Sequence, residues 1–245
     1  MKKTIILIHG WDPKKYNYLG SKNAWDHRKE MIELLKQKYE IIFCNLPGFC
    51  GIAEPKKESW NLDDFSNYLE SWILEKNIKI DAIVGYSFGG AILAQWNQQY
   101  NENSTRIIKN LFLISPAIKR RETIKSFIGN ILGKLFGKIK IFKHIYLYTM
   151  NKYYRNGTAF LRKSYDKIAR EDIRPMLDKN TQTDVNLIFI YGKNDSATPF
   201  EYLKNIQKKS NFHFHLIEKG GHSIGQTHPQ EIVSIINNYT NENND

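Results

Sequence analysis

The 245 residues are 41% apolar and 13% aromatic, a globular composition at a length that suits one domain with a sizeable core, which excludes a disordered or low-complexity chain. No stretch reaches the roughly 18 apolar residues a membrane-spanning helix needs. The run Ile5–Ile8 stops at His9, too short for a secretory signal, so a cytoplasmic location is expected. The net charge is +11, and the excess lies in residues 119–179, where 16 Lys plus Arg stand against 5 Asp plus Glu.

Thr4 to Ile8 reads as a buried strand running into the turn His9-Gly10. Residues 24–37 place Trp25, Met31, Ile32, Leu34 and Leu35 at helical spacing. Glu40 to Cys44 is a second strand, closed by Asn45 and Pro47-Gly48. Leu62 to Glu75 is an amphipathic helix with Leu62, Phe65, Leu69, Trp72 and Ile73 on one side. Ile80 to Gly85 is a third strand, with a helix from Phe88 to about Tyr100 directly behind it, and Asn110 to Ser115 is a fourth. The alternation then breaks and resumes with a strand at Leu187–Tyr191, a helix at 199–209, a strand at Phe212–Ile217 and a helix at 229–239. The tail from Asn237 to Asp245 is expected to fray.

Apolar strands alternating with helices imply a mostly parallel sheet covered on both faces, a three-layer α/β/α sandwich. The expected core is 1–116 and 183–245. Residues 117–182 are a basic, mainly helical insertion after the fourth strand, over the carboxyl edge of the sheet where such folds bind ligands. Cys44 and Cys50 form no C-x-x-C and no metal-ligand spacing, and read as reduced thiols.

The strongest chemical signal is Gly85-Tyr86-Ser87-Phe88-Gly89, followed by Gly90. A serine on a tight strand-to-helix turn is presented for nucleophilic attack, and the flanking glycines leave room for strand and helix to meet. The alternative is an ordinary turn. A serine hydroxyl needs a base within hydrogen-bond reach. His222 follows Gly220-Gly221 beyond the last strand, where a loop can bring an imidazole over the sheet edge; otherwise it is a solvated loop histidine. His213 and His215 share a strand face, and without a third ligand at a telling spacing they read as polar positions, not a metal site. Asp195, in Tyr191-Gly192-Lys193-Asn194-Asp195, stands where an orienting carboxylate would be, or else caps the helix at Pro199. The backbone N–H groups of Phe88 and Trp11 are the candidate oxyanion donors, and Trp11 could also wall a substrate pocket with His9, Gly10 and Tyr86.

With these motifs the chain resembles the α/β-hydrolase superfamily. The likeness rests on His9-Gly10-Trp11, Leu46-Pro47-Gly48-Phe49, the segment Gly85 to Gly90, Gly192-x-x-Asp195-x-x-x-Pro199 and Gly221-His222, and spans nearly all of the chain except the insertion. It implies acyl-enzyme chemistry on an ester or thioester without a cofactor or metal, with Ser87, Asp195 and His222 as catalytic residues and 117–182 as the cap that sets substrate choice. Asn45 and Cys50 stand where the family often has Asp and Gly, at a loop rim away from those three. The chain starts on the strand leading to His9, so a sheet of six strands is expected.

Ile124 to Tyr148 looks like a basic amphipathic helix, with Gly129, Gly133 and Gly137 spaced by four and lysines that interrupt any membrane-spanning run. It is a cap helix with solvated lysines, a surface for an acidic carrier protein bearing the substrate, or a dock for an anionic membrane. Nucleic acid fits poorly, because no recognition motif accompanies the charge. The expected activity is hydrolysis of a small-molecule ester or thioester. Its rivals are C–C bond hydrolysis, elimination or acyl transfer on the same residues, and a non-catalytic binding protein.

Overall fold

The computed structural model describes residues 2–13, 23–101, 107–119, 152–179, 184–204, 206 and 210–241. Among them six parallel strands form one sheet: β1 (Lys3–Ile8), β2 (Tyr39–Cys44), β3 (Ala82–Tyr86), β4 (Asn110–Ile114), β5 (Asn186–Gly192) and β6 (Phe212–Ile217), in the order β2-β1-β3-β4-β5-β6. Ile5 to Ile8, Leu111 to Ile114 and Leu187 to Ile190 have no exposed surface. Continuous apolar strands are what a parallel sheet buried on both faces requires.

The helices α1 (Lys29–Lys38), α2 (Leu62–Lys76), α3 (Phe88–Gln99) and the last one, Pro229–Asn241, lie where periodicity predicts them, with ends shifted by a few residues. A short 3-10 turn, Asp26–Arg28, precedes α1. Asn61 starts α2 through a capping box: its side chain accepts from the Asp64 N–H, and the Asp64 carboxylate accepts from the Asn61 N–H, both at 3.0 Å. Between β4 and β5 the described residues hold three helices, α4 (Lys152–Arg155), α5 (Ala159–Ile168) and α6 (Arg174–Lys179). The basic helix read at Ile124 to Tyr148, with its glycine stripe, lies outside the described residues. No helix among those described is long and apolar enough to cross a membrane.

One expectation is sharpened and another corrected. Within the span 199–209 that is expected to be helical, the described helix is a short 3-10 one, Phe200–Leu203. Its N–H groups reach back three residues, Tyr202 to Pro199, Lys204 to Glu201 and Ile206 to Leu203. The apolar positions 200, 203 and 206 recur every third residue, a period that suits the tighter helix as well as the α-helix. The chain end was expected to fray from Asn237, but the last helix runs to Asn241. Thr240 is buried, and the Tyr39 hydroxyl bonds the side chains of Asn237 and Thr240. On β6, His213 pairs with the Asn186 side chain at 3.2 Å and His215 with the Tyr239 hydroxyl at 3.0 Å.

Candidate active site

Ser87 stands between β3 and α3 with φ 52° and ψ −109°, a conformation that costs a non-glycine residue about 1–3 kcal/mol and persists only where its surroundings enforce it. Here they do. The Ser87 N–H donates to the Ile114 carbonyl, and the Ser87 carbonyl accepts from the N–H groups of Gly90, Ala91 and Ala117. Three glycines make the approach of strand and helix possible. A Cβ on Gly85 would stand 2.5 Å from the Gly89 carbonyl oxygen, one on Gly89 2.4 Å from that of Ile8, and one on Gly90 2.7 Å from Pro116 Cβ.

The three residues singled out from sequence meet at the carboxyl edge of the sheet. His222 Nε2 lies 3.1 Å from Ser87 Oγ, and His222 Nδ1 lies 2.9 Å from Asp195 Oδ2. The Asp195 side chain has no exposed surface while that of His222 is 29% exposed, so the line runs from a buried carboxylate toward a reachable hydroxyl. Such a line lets an imidazole take a hydroxyl proton while a carboxylate balances the resulting charge. Its two outer loops are locked backbone to backbone. The Asn194 N–H donates to the Gly220 carbonyl, the Lys193 N–H to that of Ile217, and a Cβ on Gly192 would come 2.4 Å from Gly220 atoms.

Asp195 closes the turn after β5 and meets His222, but it does not cap the helix at Pro199, whose start carries no side-chain cap bond. Oδ1 accepts from the N–H groups of Ala197 and Thr198, and Oδ2 from the Thr198 hydroxyl, each at 2.9 Å, while Oδ2 also meets His222. Burial pushes the Asp195 carboxyl up, but the bond and charge of His222 and the Thr198 bonds outweigh it and hold the pKa below the ordinary carboxylate value. Thr198 carries no sequence signal, since only the fold brings its hydroxyl to the carboxylate and within 3.3 Å of His222 Nδ1. Thr198→Val keeps the shape and the backbone donor but removes that hydroxyl. The expected result is a roughly tenfold lower kcat, the scale of one hydrogen bond to a charged group, read from steady-state ester hydrolysis.

Of the residues expected around a substrate pocket, Gly10 lies against the serine: a Cβ there would come 3.2 Å from Ser87 Cβ. His9 and Tyr86 are buried with their polar atoms committed to the protein. His9 Nε2 accepts from the Leu46 N–H at 3.0 Å, and Nδ1 then donates to the Gly10 carbonyl at 2.7 Å. Burial lowers its pKa from 6.5 to about 4. Unfolded, His9 takes up a proton near pH 6.5; folded, it stays neutral to about 4, so the unfolded chain binds more protons in that window. Stability conferred by neutral His9 is therefore lost as pH falls from 6.5 toward 4, by about 3 kcal/mol in all. Denaturant midpoints measured across that window should fall in the wild type, and fall less in His9→Asn.

The indole of Trp11 is buried and meets Phe49 at 5.1 Å, Phe88 at 5.2 Å and Phe65 at 6.1 Å between ring centres, all edge to face. The side chains of the two expected oxyanion residues thus pack on each other. Tyr165 of α5 completes the cluster at 5.8 Å. The same helix accepts the Trp60 N–H on Ser164 Oγ at 2.8 Å, and its Leu161 lies where a Cβ on Gly48 would come within 2.9 Å. At the loop rim Cys50 has φ 48°, a left-handed backbone that glycine adopts without strain.

A family model described as the alpha/beta hydrolase fold matches residues 3–134. A biotin biosynthesis bifunctional protein of Teredinibacter turnerae is 24% identical over 272 residues, covering 97% of this chain and 44% of its own length. The chain therefore spans less than half of that relative. A pimeloyl-(acyl-carrier protein) methyl ester esterase of Legionella pneumophila is 22% identical over 246 residues, covering 96% of this chain and 94% of its own. Among solved structures, a bromoperoxidase from Bacillus anthracis superposes with a TM-score of 0.68 at 20% identity, over 98% of this chain and 92% of that one; at that identity the likeness shows the fold alone. The family match spans more than half of the chain and includes the elbow that carries Ser87, and the chain belongs to the α/β-hydrolase fold family.

Proposed function

We propose that the chain is a serine hydrolase that cleaves a carboxylic ester or thioester through an acyl-enzyme, with Ser87 as nucleophile, His222 as general base and then acid, and Asp195 as the carboxylate that orients His222. The observation that carries this reading is the unbroken line from Ser87 Oγ through both ring nitrogens of His222 to Asp195 Oδ2. Ser87 attacks the acyl carbon while His222 Nε2 takes the hydroxyl proton. The carbonyl electrons move onto oxygen, where the N–H groups of Phe88 and Trp11 donate to the developing anion. Phe88 opens the twelve-residue helix α3, whose positive end favours the same charge. Collapse of the intermediate expels the alcohol or thiol, which leaves with the proton held on His222. Water, deprotonated by the same imidazole, then releases the acid and restores Ser87. Asp195 balances the imidazolium at each stage without taking the proton.

Residues 117–182 are proposed as the cap over this site. The Trp60, Trp11 and Gly48 contacts of α5 support that placement. For the basic segment the favoured partner is an acidic carrier protein bearing the ester, supported by a relative named for a carrier-protein methyl ester and covered over nearly its full length. The test has two arms. A fluorophosphonate probe should label Ser87; failure to label it sinks the hydrolase reading. A carrier-borne methyl ester should lose about tenfold in kcat/KM between low and 0.3 M salt, where screening becomes short-ranged, while short p-nitrophenyl esters hold their rates. Salt-independent turnover of the carrier-borne ester, or activity that rises with anionic vesicles instead, removes the carrier assignment.

A further inference from the structure

Asp195 holds the ring of His222, but the loop bearing that residue also has to be held. Tyr86, the residue between Gly85 and Ser87, supplies the grip. Its hydroxyl donates to the backbone carbonyl of His222 at 2.6 Å, and its ring stands edge-on to the imidazole at 6.3 Å. Tyr86 is 1% exposed and ends the central strand β3, so nucleophile and base loop share one anchor. Burial pushes the Tyr86 hydroxyl up, so it remains a donor through the neutral range.

A face of that ring is covered by a charge. The Arg28 guanidinium lies 3.7 Å from the centre of the Tyr86 ring and 5.4 Å from that of Trp25, and Arg28 is itself buried. Arg28 Nη1 also meets His27 Nε2 at 2.6 Å. Trp25 stands edge-on to Tyr86 at 6.1 Å. The helix that follows His222, α7 (Ile224–Thr227), packs on the same pair: a Cβ on Gly225 would come 3.0 Å from both Arg28 Cδ and Tyr86 Cε2. A planar cation stacked on an aromatic face fixes the ring's tilt, which a lysine ammonium does far less well.

We infer that Tyr86, clamped by Arg28, is a positioning residue that sets the distance between His222 and Ser87 by holding the His222 main chain. Its effect on rate rests on the proposed hydrolase reaction; its effect on the imidazole does not. The test uses the full chain as Tyr86→Phe and Arg28→Met, with two readouts. The first needs no substrate. The His222 Nδ1 proton, bonded to a buried carboxylate, gives a low-field proton resonance assigned by its loss in His222→Gln, and its exchange with water is measured. The second is the burst of p-nitrophenol, which titrates competent sites and gives the acylation rate per site, so that partial unfolding does not enter. Tyr86→Phe is expected to speed proton exchange at least tenfold and to slow acylation per site about tenfold with KM little changed. Arg28→Met should move both in the same direction by less. Unchanged proton exchange in folded Tyr86→Phe overturns the clamp, as does an unchanged acylation rate per site. A wild type that shows the resonance but no burst fails the proposed reaction, and the exchange readout still decides the clamp.

Discussion

Replacing Ser87 by Ala is expected to lower kcat about a million-fold, the scale seen when the nucleophile is removed from a comparable assembly, while the folded state stays as stable as the wild type within about 0.5 kcal/mol. The separation follows from the geometry. The bond of Ser87 Oγ is to His222 Nε2, so its removal withdraws the proposed nucleophile and leaves the packing intact. The strained φ of 52° is imposed by main-chain bonds to Ile114, Gly90, Ala91 and Ala117, all of which an alanine keeps. His222→Ala should cost about as much, and the double variant little more than either, because the parts act as one unit. Asp195→Asn should retain more activity, falling about 10⁴-fold, since an amide in place of the carboxylate favours the wrong imidazole tautomer. Single-turnover hydrolysis of a p-nitrophenyl ester measures all four. Full activity in Ser87→Ala, or strictly additive losses, would refute the assigned roles.

The second large effect falls on the fold. Gly89→Ala is expected to destabilise the protein by about 3–5 kcal/mol, the range of severe overpacking against rigid atoms, and to lower the melting temperature by about 10 °C or more at this chain length. The new methyl would stand 2.4 Å from the Ile8 carbonyl oxygen and 2.7 Å from that of His9. These are main-chain atoms of the interior strand β1, paired on both sides, and of the turn beyond it, and they have no freedom to withdraw. Nor can α3 slide away, because Gly85 and Gly90 hold it equally close to β3 and Pro116. The control is Gly221→Ala, beside His222, where a Cβ meets nothing within 4 Å and stability should change by less than about 0.5 kcal/mol. Thermal melts of the two variants decide it, and equal melting temperatures would show that the elbow is not sterically closed.

That contrast also shows where reading the sequence reached its limit. Gly220 and Gly221 look equivalent in the chain, but a Cβ on Gly220 would strike Ile224 at 2.7 Å whereas Gly221 faces open space. The strands were legible because burial on both faces of a parallel sheet writes itself as unbroken apolar runs, as in Ile5–Ile8 and Leu111–Ile114. Ser87, Asp195 and His222 were legible because turn chemistry and position after a strand point to them. Thr198 and Arg28 were not, and Tyr86 was read as a pocket wall and not as a hold on His222, because the fold alone brings these side chains to their partners. Arg28 is buried against the Tyr86 ring, which no periodicity in residues 24–37 announces. The kind of helix after Asp195 was not legible, because a period of three fits two kinds of helix.

The stretch between β4 and β5 is pinned at its neck. Lys119 and Asp172 pair as an isolated antiparallel bridge, the Ile173 N–H donates to the Ile118 carbonyl, and Asp172 is gripped by Lys119 and Arg174. Two strands that leave and re-enter the sheet as neighbours, with their ends already tied, make the length of what lies between nearly free of cost. Doubling a closed loop adds only about 0.6 kcal/mol of closure entropy. Chain length between the neck and α5 can change at little entropic cost, whereas α5 itself is tied to the core through Trp60, Trp11 and Gly48. The bridge between Lys119 and Asp172 thus separates the ordering of the sheet from whatever length of chain the neck encloses.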